Sequence, residues 1–270
     1  MPNVDLEKIR ISNLRRFAVQ EALERFAVEF PNFRPEEVVA SICAYEEELN
    51  IGGVLEKMPP TIDGRAYTTL VVVDGGTDRT AEVARSFPGV AVIEFPVNLG
   101  HGVALQVTYR WCVENGVKYV ITLDADGQND PAEMPNLLAP LVSDTADFVL
   151  TSRVLGVDKT SDSIRKTGVR FFSFVMNRMT GAHLTDTSTG YRGLRVTMLA
   201  DVVDRLQQSQ YQTAELLIVC LKRGWRPAEI PTVWYPRASG TTKKGKNWKF
   251  GFRYTRVVFG TYLRERTAGR

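Results

Sequence analysis

Two carboxylates one residue apart, a glycine and an amide stand in series at Asp124, Ala125, Asp126, Gly127 and Gln128. They close the run Tyr119–Val120–Ile121–Thr122–Leu123, whose β-branched and large apolar residues read as a buried strand. Side chains alternate along an extended backbone, so the two carboxylates diverge as the chain leaves the strand and can serve different groups around one site. Such a pair suits a hard divalent cation holding a diphosphate, because Mg²⁺ or Mn²⁺ takes oxygen ligands and keeps positions open for phosphate oxygens. Taken alone, the spacing favours a solvated acidic turn, since Asp-x-Asp is common by chance. The rest of the chain has to carry the other reading.

Holding such a site takes a buried framework, and 270 residues suffice for one large α/β domain or one domain with appendages. The apolar and charged fractions are ordinary for a soluble protein. A net charge of +3 says little about partners, although the last thirty residues are strongly basic. Cys43, Cys112 and Cys220 fit neither a metal spacing nor a disulfide framework, which points to a reducing compartment and to packing as small core residues. No apolar run approaches the ~20 residues that span a bilayer, and a start bearing Asp5, Glu7, Lys8 and Arg10 is no signal peptide. The expectation is a cytoplasmic protein, soluble or peripheral to the membrane.

Leu6, Ile9, Leu14, Phe17, Leu23 and Phe26 recur at roughly helical spacing until Pro31 and Pro35 break the pattern. This predicts one or two amphipathic helices serving packing or oligomerisation. Apolar runs at 38–45, 69–74, 90–95, 119–123, 148–153 and 227–233 read as strands. Helices are expected between them: from Glu46, Glu47 and Glu48 through Leu55 with the glutamates in the first turn, then over 81–87, up to Val113, over 131–142, over 160–180 and over about 214–223. Such alternation argues for a doubly wound parallel sheet whose ligands sit at the carboxyl ends of the strands. Every candidate motif falls on such an end.

In this order the pieces resemble the inverting, GT-A type glycosyltransferases of family 2, most closely the polyprenyl- (dolichyl-) phosphate sugar synthases and their bacterial relatives, over about residues 38–243. The family's Pro-x-Tyr-Asn-Glu is matched by Cys43–Ala44–Tyr45–Glu46–Glu47, and its Val-Val-Asp-Asp-Gly-Ser-x-Asp-x-Thr turn by Val71 through Thr80. The Asn-x-Gly-x-Gly loop is intact at Asn98, Gly100 and Gly102, and the metal motif at Asp124 through Gln128. Gly-Ser-Arg becomes Thr151–Ser152–Arg153, the acceptor-side turn runs from Asp186 to Arg192, and Arg-x-x-Gly-x-x-Lys is Arg237, Gly240 and Lys243.

The resemblance implies an α/β GT-A fold: a doubly wound, mostly parallel sheet flanked by helices over 37–243, with a helical extension over 1–36 and a basic amphipathic segment over 244–270. It implies a nucleotide-diphosphate sugar donor held by Cys43, Tyr45, Glu47, Val73, Asp74, Asn98, Gly100, Asp124, Ala125, Arg237 and Lys243. Mg²⁺ or Mn²⁺ would lie on Asp124, Asp126 and Gln128, and the catalytic candidates are Asp126, Arg153, Asp186 and Glu215. Val73, Cys43 and Glu46 depart from the family pattern around the base pocket, so the nucleotide stays open.

The acceptor is read from a missing residue. Family members that glycosylate hydroxyls place a carboxylate about eleven residues before the glycine closing the late helix; counting back from Gly224 gives Thr213, with Glu215 two residues on. An anionic phosphate needs no base, so a polyprenyl phosphate is favoured over a soluble hydroxyl acceptor, with a register shift to Glu215, or Asp186, as the alternative base. From Lys243 to Leu263 cations interleave with aromatics. That suits an anionic membrane surface, nucleic acid or a helix packed on the domain; no nucleic-acid partner is expected. Two rivals stand beside the transferase. A dinucleotide-binding oxidoreductase founders on Leu105 at the third glycine position, and a non-catalytic binding module would not need ion ligands and phosphate cations together. The histidines, His101 and His183, have no partner at ligand spacing; His101 is placed to touch a phosphate or the sugar.

Overall fold

The computed structural model describes residues 6–160, 163–240 and 247–268. Its first four strands, parallel to one another, are mostly apolar because both of their faces are covered. In β1 (Val38–Ala44) every residue is buried: Val39 and Cys43 join one core, and Val38, Ala40, Ile42 and Ala44 the other. The same division runs through β2 (Thr68–Val73), β3 (Val90–Glu94) and β4 (Tyr119–Asp124). With β5 (Phe148–Asp158), β6 (Arg192–Arg195) and β7 (Pro227–Trp234) they form one seven-stranded sheet, ordered β3-β2-β1-β4-β6-β5-β7. All neighbours are parallel except β6, which runs antiparallel to β4 and β5.

Helices cover both faces, as alternation requires. One core takes residues from α1 (Leu6–Glu29), α4 (His101–Glu114), α6 (Ser163–Thr180), α7 (Val196–Val202), α8 (Gln212–Lys222) and α9 (Asn247–Ala268). The other takes α2 (Ile51–Leu55), α3 (Thr80–Arg85) and α5 (Met134–Val142). The N-terminal segment is a single helix. It buries Ala18, Ala22 and Phe26, spaced four apart on one stripe, and sets the Phe26 ring edge-on to Trp111 of α4 at 5.9 Å.

The helix after β1 starts later than expected. Glu46 takes a positive φ of 50°, and the helix opens only at Ile51. The three glutamates therefore form the sharp exit from β1, and Glu47 turns toward Arg237 and Asn50. Strand β6 and helix α7 had no signal in the sequence, β6 being four residues of which two are arginines and one glycine.

Candidate active site

The carboxyl ends of β1, β2 and β4 are adjacent, and the expected residues meet there. Cys43 pairs in register with Asp124 across the β1–β4 ladder, and Ala44 with Val73 across β1–β2. Beyond β4, Asp126 accepts a hydrogen bond from the Gln128 N–H (3.1 Å), which curls the chain back. The segment after β7 closes on this turn: Tyr235 N–H donates to the Gln128 carbonyl at 3.0 Å, Gln128 Nε2 to the Tyr235 carbonyl at 3.1 Å, and Ala238 N–H to the Asp126 carbonyl at 3.3 Å. Arg237 in that segment grips the Glu47 carboxylate with one nitrogen and lies 3.4 Å from Asp126 Oδ2 with another. Three expected site residues from distant parts of the chain, Glu47, Asp126 and Arg237, thus form one cluster. Lys243 lies outside the described residues.

Asp74 is buried beneath the glycine loop. Its carboxylate accepts from Leu99 N–H at 2.7 Å and from Gly100 N–H at 3.0 Å, so in this structure it anchors the loop. From the other side, Ser209 O accepts the Gly102 N–H at 2.9 Å, and a side chain at Gly100 or Gly102 would collide with the 208–209 backbone. Asn98 at the tip is exposed. Val73 lies in the hydrophobic core with Val71 and Ala44, so the departure from the family's aspartate extends the core. Ala125 is likewise buried, with its N–H donating to the Cys43 carbonyl.

Burial pushes the Asp74 carboxyl up to about 6, against the opposing pull of the two loop N–H groups and His101. A carboxyl with a raised folded-state pKa binds more protons folded than unfolded between pH 4 and 6, so its contribution to stability falls as pH rises through that window, by roughly 2–3 kcal/mol in all. Asp74→Asn removes the titration, so the difference between wild-type and variant unfolding free energies, measured by urea denaturation, should shrink from pH 4 to pH 6.5. A constant difference would contradict it.

His101, the first residue of α4, places Nε2 3.4 Å from Asp124 Oδ1, a pairing the spacing did not announce. Burial works against its charge, but Asp124 and the Cys43 thiol outweigh it and hold the imidazole above its usual pKa. Gly190 of the acceptor-side turn faces the same Asp124 carboxylate.

On the β5 side, Arg153 is buried with Asp186: Nε donates to Oδ2 at 2.6 Å, a second nitrogen reaches Ser188 Oγ at 3.1 Å, and the guanidinium lies over Trp234 at 4.2 Å from the ring centre. The other oxygen of Asp186 accepts from the Ser188 N–H and hydroxyl. Asp186 thus orders the turn and Arg153, contacts that its sequence position did not announce. Glu215 is engaged in the same way. It is fully buried, and its carboxylate is engaged by the Gln207 and Gln208 N–H groups, both at 2.9 Å, and by Arg264 at 3.0 Å. Trp234 and Arg192, central to this side, were not singled out by residue type alone.

Among the described residues no three His, Cys, Asp or Glu side chains converge as a self-contained metal centre. Asp126, with the amide of Gln128 and with Asp124, offers hard oxygen donors. Such a partial set fits an ion that completes its shell on a diphosphate.

A mostly parallel open sheet with one antiparallel strand beside the acidic turn is the architecture of the GT-A fold. The model of glycosyl transferase family 2 matches residues 40–203, and the chain belongs to that family. It is 34% identical over 197 residues to a dolichyl-phosphate hexose transferase of Haloferax volcanii, covering 73% of this chain and 82% of that protein. An undecaprenyl-phosphate mannosyltransferase of Micrococcus luteus is 30% identical over 218 residues, 76% of this chain and 86% of that one. The fold matches glucosyl-3-phosphoglycerate synthase of Mycobacterium tuberculosis in complex with Mn²⁺, UDP-glucose and phosphoglyceric acid, with a TM-score of 0.66 at 17% identity over 90% of this chain and 83% of that one.

Proposed function

We propose that this family 2 glycosyltransferase moves a sugar, with inversion, from a nucleotide-diphosphate sugar to a polyprenyl phosphate. The observation that carries the acceptor is the state of the candidate bases: Thr213 stands where a carboxylate would, while Glu215 and Asp186 are both buried and engaged. A phosphate oxygen attacks the anomeric carbon without needing deprotonation; the bond from that carbon to the diphosphate breaks, and the nucleoside diphosphate leaves. Asp126, Gln128 and Asp124 would hold Mg²⁺ or Mn²⁺, which supplies charge stabilisation to the departing diphosphate. Arg237 adds fixed positive charge on the donor side, and Arg153 on the acceptor side. The relatives named for dolichyl and undecaprenyl phosphates support the same reading.

The acceptor side also suits a lipid. Just beyond Arg153, Val154, Leu155 and Val157 are exposed. Helix α6 exposes Phe171 and Phe174, and α9 exposes Phe252, Phe259 and Leu263. Arg170, Arg178, Arg253 and Arg256 accompany them; α6 contains no carboxylate, and the single one in α9, Glu265, is buried. No described helix is long and apolar enough to cross a membrane. Peripheral contact with an anionic bilayer through this face is part of the proposal, each cation near the surface contributing about 1 kcal/mol.

The test has two arms. In a thermal-shift panel of UDP-, GDP- and dTDP-sugars with and without Mn²⁺, one nucleotide class should raise the melting temperature only with metal, a ligand at ~100 times its Kd adding ~2.7 kcal/mol. With that donor, product should form on a polyprenyl phosphate and not on the matching polyprenol or a soluble saccharide. Equal transfer to a hydroxyl would replace the acceptor, and no shift with any nucleotide sugar would remove the donor.

A further inference from the structure

The stretch between Leu206 and Tyr211 forms the outer wall of the glycine loop, and of its own side chains Ser209 offers a long contact, its Oγ 3.5 Å from an Arg15 nitrogen on α1. Its carbonyls do the gripping: Gln208 O accepts from Gln106 Nε2 at 3.0 Å, and Ser209 O from the Gly102 N–H at 2.9 Å. Its exit is strained, because Tyr211 takes the left-handed conformation (φ 59°), which costs a non-glycine residue about 1–2 kcal/mol. What fixes the wall is Glu215, one turn into α8, whose single Oε2 accepts both the Gln207 and Gln208 N–H groups. A carboxylate with no exposed surface needs a counter-charge, and it comes from the far end of the chain: Arg264 on α9 reaches Oε1 at 3.0 Å. Arg264 is in turn placed by Glu265 at 3.2 Å, which also takes Arg205 at 3.3 Å.

We infer that Glu215 is a positioning residue that hangs the wall of the glycine loop on the C-terminal helix through Arg264. That the loop belongs to the donor site rests on the proposed function; that Glu215 and Arg264 hold it does not. The wall grips Gly102 next to His101, and His101 meets Asp124, so the placement of α9 reaches the acidic turn through a continuous set of contacts. The helix that carries the exposed Phe259 and Leu263 is therefore also the one that seats the loop.

Hydrogen exchange on the full, ligand-free chain decides the matter without reference to activity. Arg264→Met should speed exchange at Gly102, Gln207 and Gln208 at least tenfold while the β1 and β4 amides keep their wild-type rates; Arg264→Lys should restore most of the protection. Glu215→Gln should lose part of it, since an amide that keeps its oxygen on the two N–H groups turns its NH2 toward the Arg264 guanidinium, and Glu215→Ala should lose it all. Unchanged exchange at Gly102 in Arg264→Met, or uniform loosening of the sheet, overturns the inference. In the transferase assay Arg264→Met should raise the donor KM several-fold, and Glu215→Gln should keep the wild-type pH profile of kcat. A flattened acid limb would instead make Glu215 the base. If no transfer is found at all, the exchange result still stands.

Discussion

Replacing Asp126 with alanine is expected to lower sugar transfer by about 10³-fold or more while leaving the fold nearly as stable as before. On the proposed function the rate loss follows from chemistry: a leaving diphosphate needs a counter-charge, which Mg²⁺ or Mn²⁺ would supply, and Asp126 would hold that ion at the head of the turn that the Arg237 segment closes over. Stability is spared because the turn is also held by backbone bonds from Tyr235 and Ala238, and Arg237 keeps Glu47 as its partner. The lost Gln128 N–H bond and the 3.4 Å ion pair together contribute about 1 kcal/mol. Donor affinity in Mn²⁺ and urea unfolding, measured on the same preparation, separate the two effects. Transfer within tenfold of wild type would take Asp126 out of the site; a collapse of stability would make it structural.

Much of the framework was legible because a strand buried on both faces writes itself as a continuous apolar run. Residues 69–74 and 119–123 needed no knowledge of their neighbours. The same holds for the acidic turn, whose Asp-x-Asp-Gly-Gln order is local. Roles set by distant partners were not legible. Asp74 holds the N–H groups of Leu99 and Gly100, 25 and 26 residues on, and Glu215 depends on an arginine 49 residues on. Nothing in a carboxylate's own position tells whether it will serve a ligand, a backbone turn or another side chain. β6 failed for a different reason: a short strand between two neighbours takes its identity from them, and Arg-Gly-Leu-Arg carries no period to read.

Arg192 illustrates the second kind of residue and gives the largest expected effect on stability. It is among the largest fully buried side chains of the described residues, and its guanidinium donates to three backbone carbonyls: Nε to Thr189 O at 2.8 Å, one terminal nitrogen to Thr213 O at 2.7 Å and the other to Thr187 O at 3.2 Å. One side chain thus ties both ends of the acceptor-side turn to the start of α8. Burial lowers its pKa, but an arginine remains charged, and five N–H donors in a rigid fork can satisfy three carbonyls where a lysine could reach one or two. Arg192→Met keeps much of the volume and leaves the Thr187 and Thr189 carbonyls without this donor, while Thr213 O keeps its bond within α8. Each orphaned acceptor costs about 1–3 kcal/mol, and with partial relaxation the sum should be about 3–5 kcal/mol. Arg192→Lys should recover a minority of that. The turn carries Asp186 and Ser188, the partners of Arg153, so Arg192→Met should also weaken acceptor binding before it affects the donor. Urea midpoints for the two variants, read with acceptor and donor affinities, test both halves. A loss below about 1 kcal/mol for Arg192→Met would mean that water replaces the guanidinium, and that the turn is held by Asp186 and Glu229 without it.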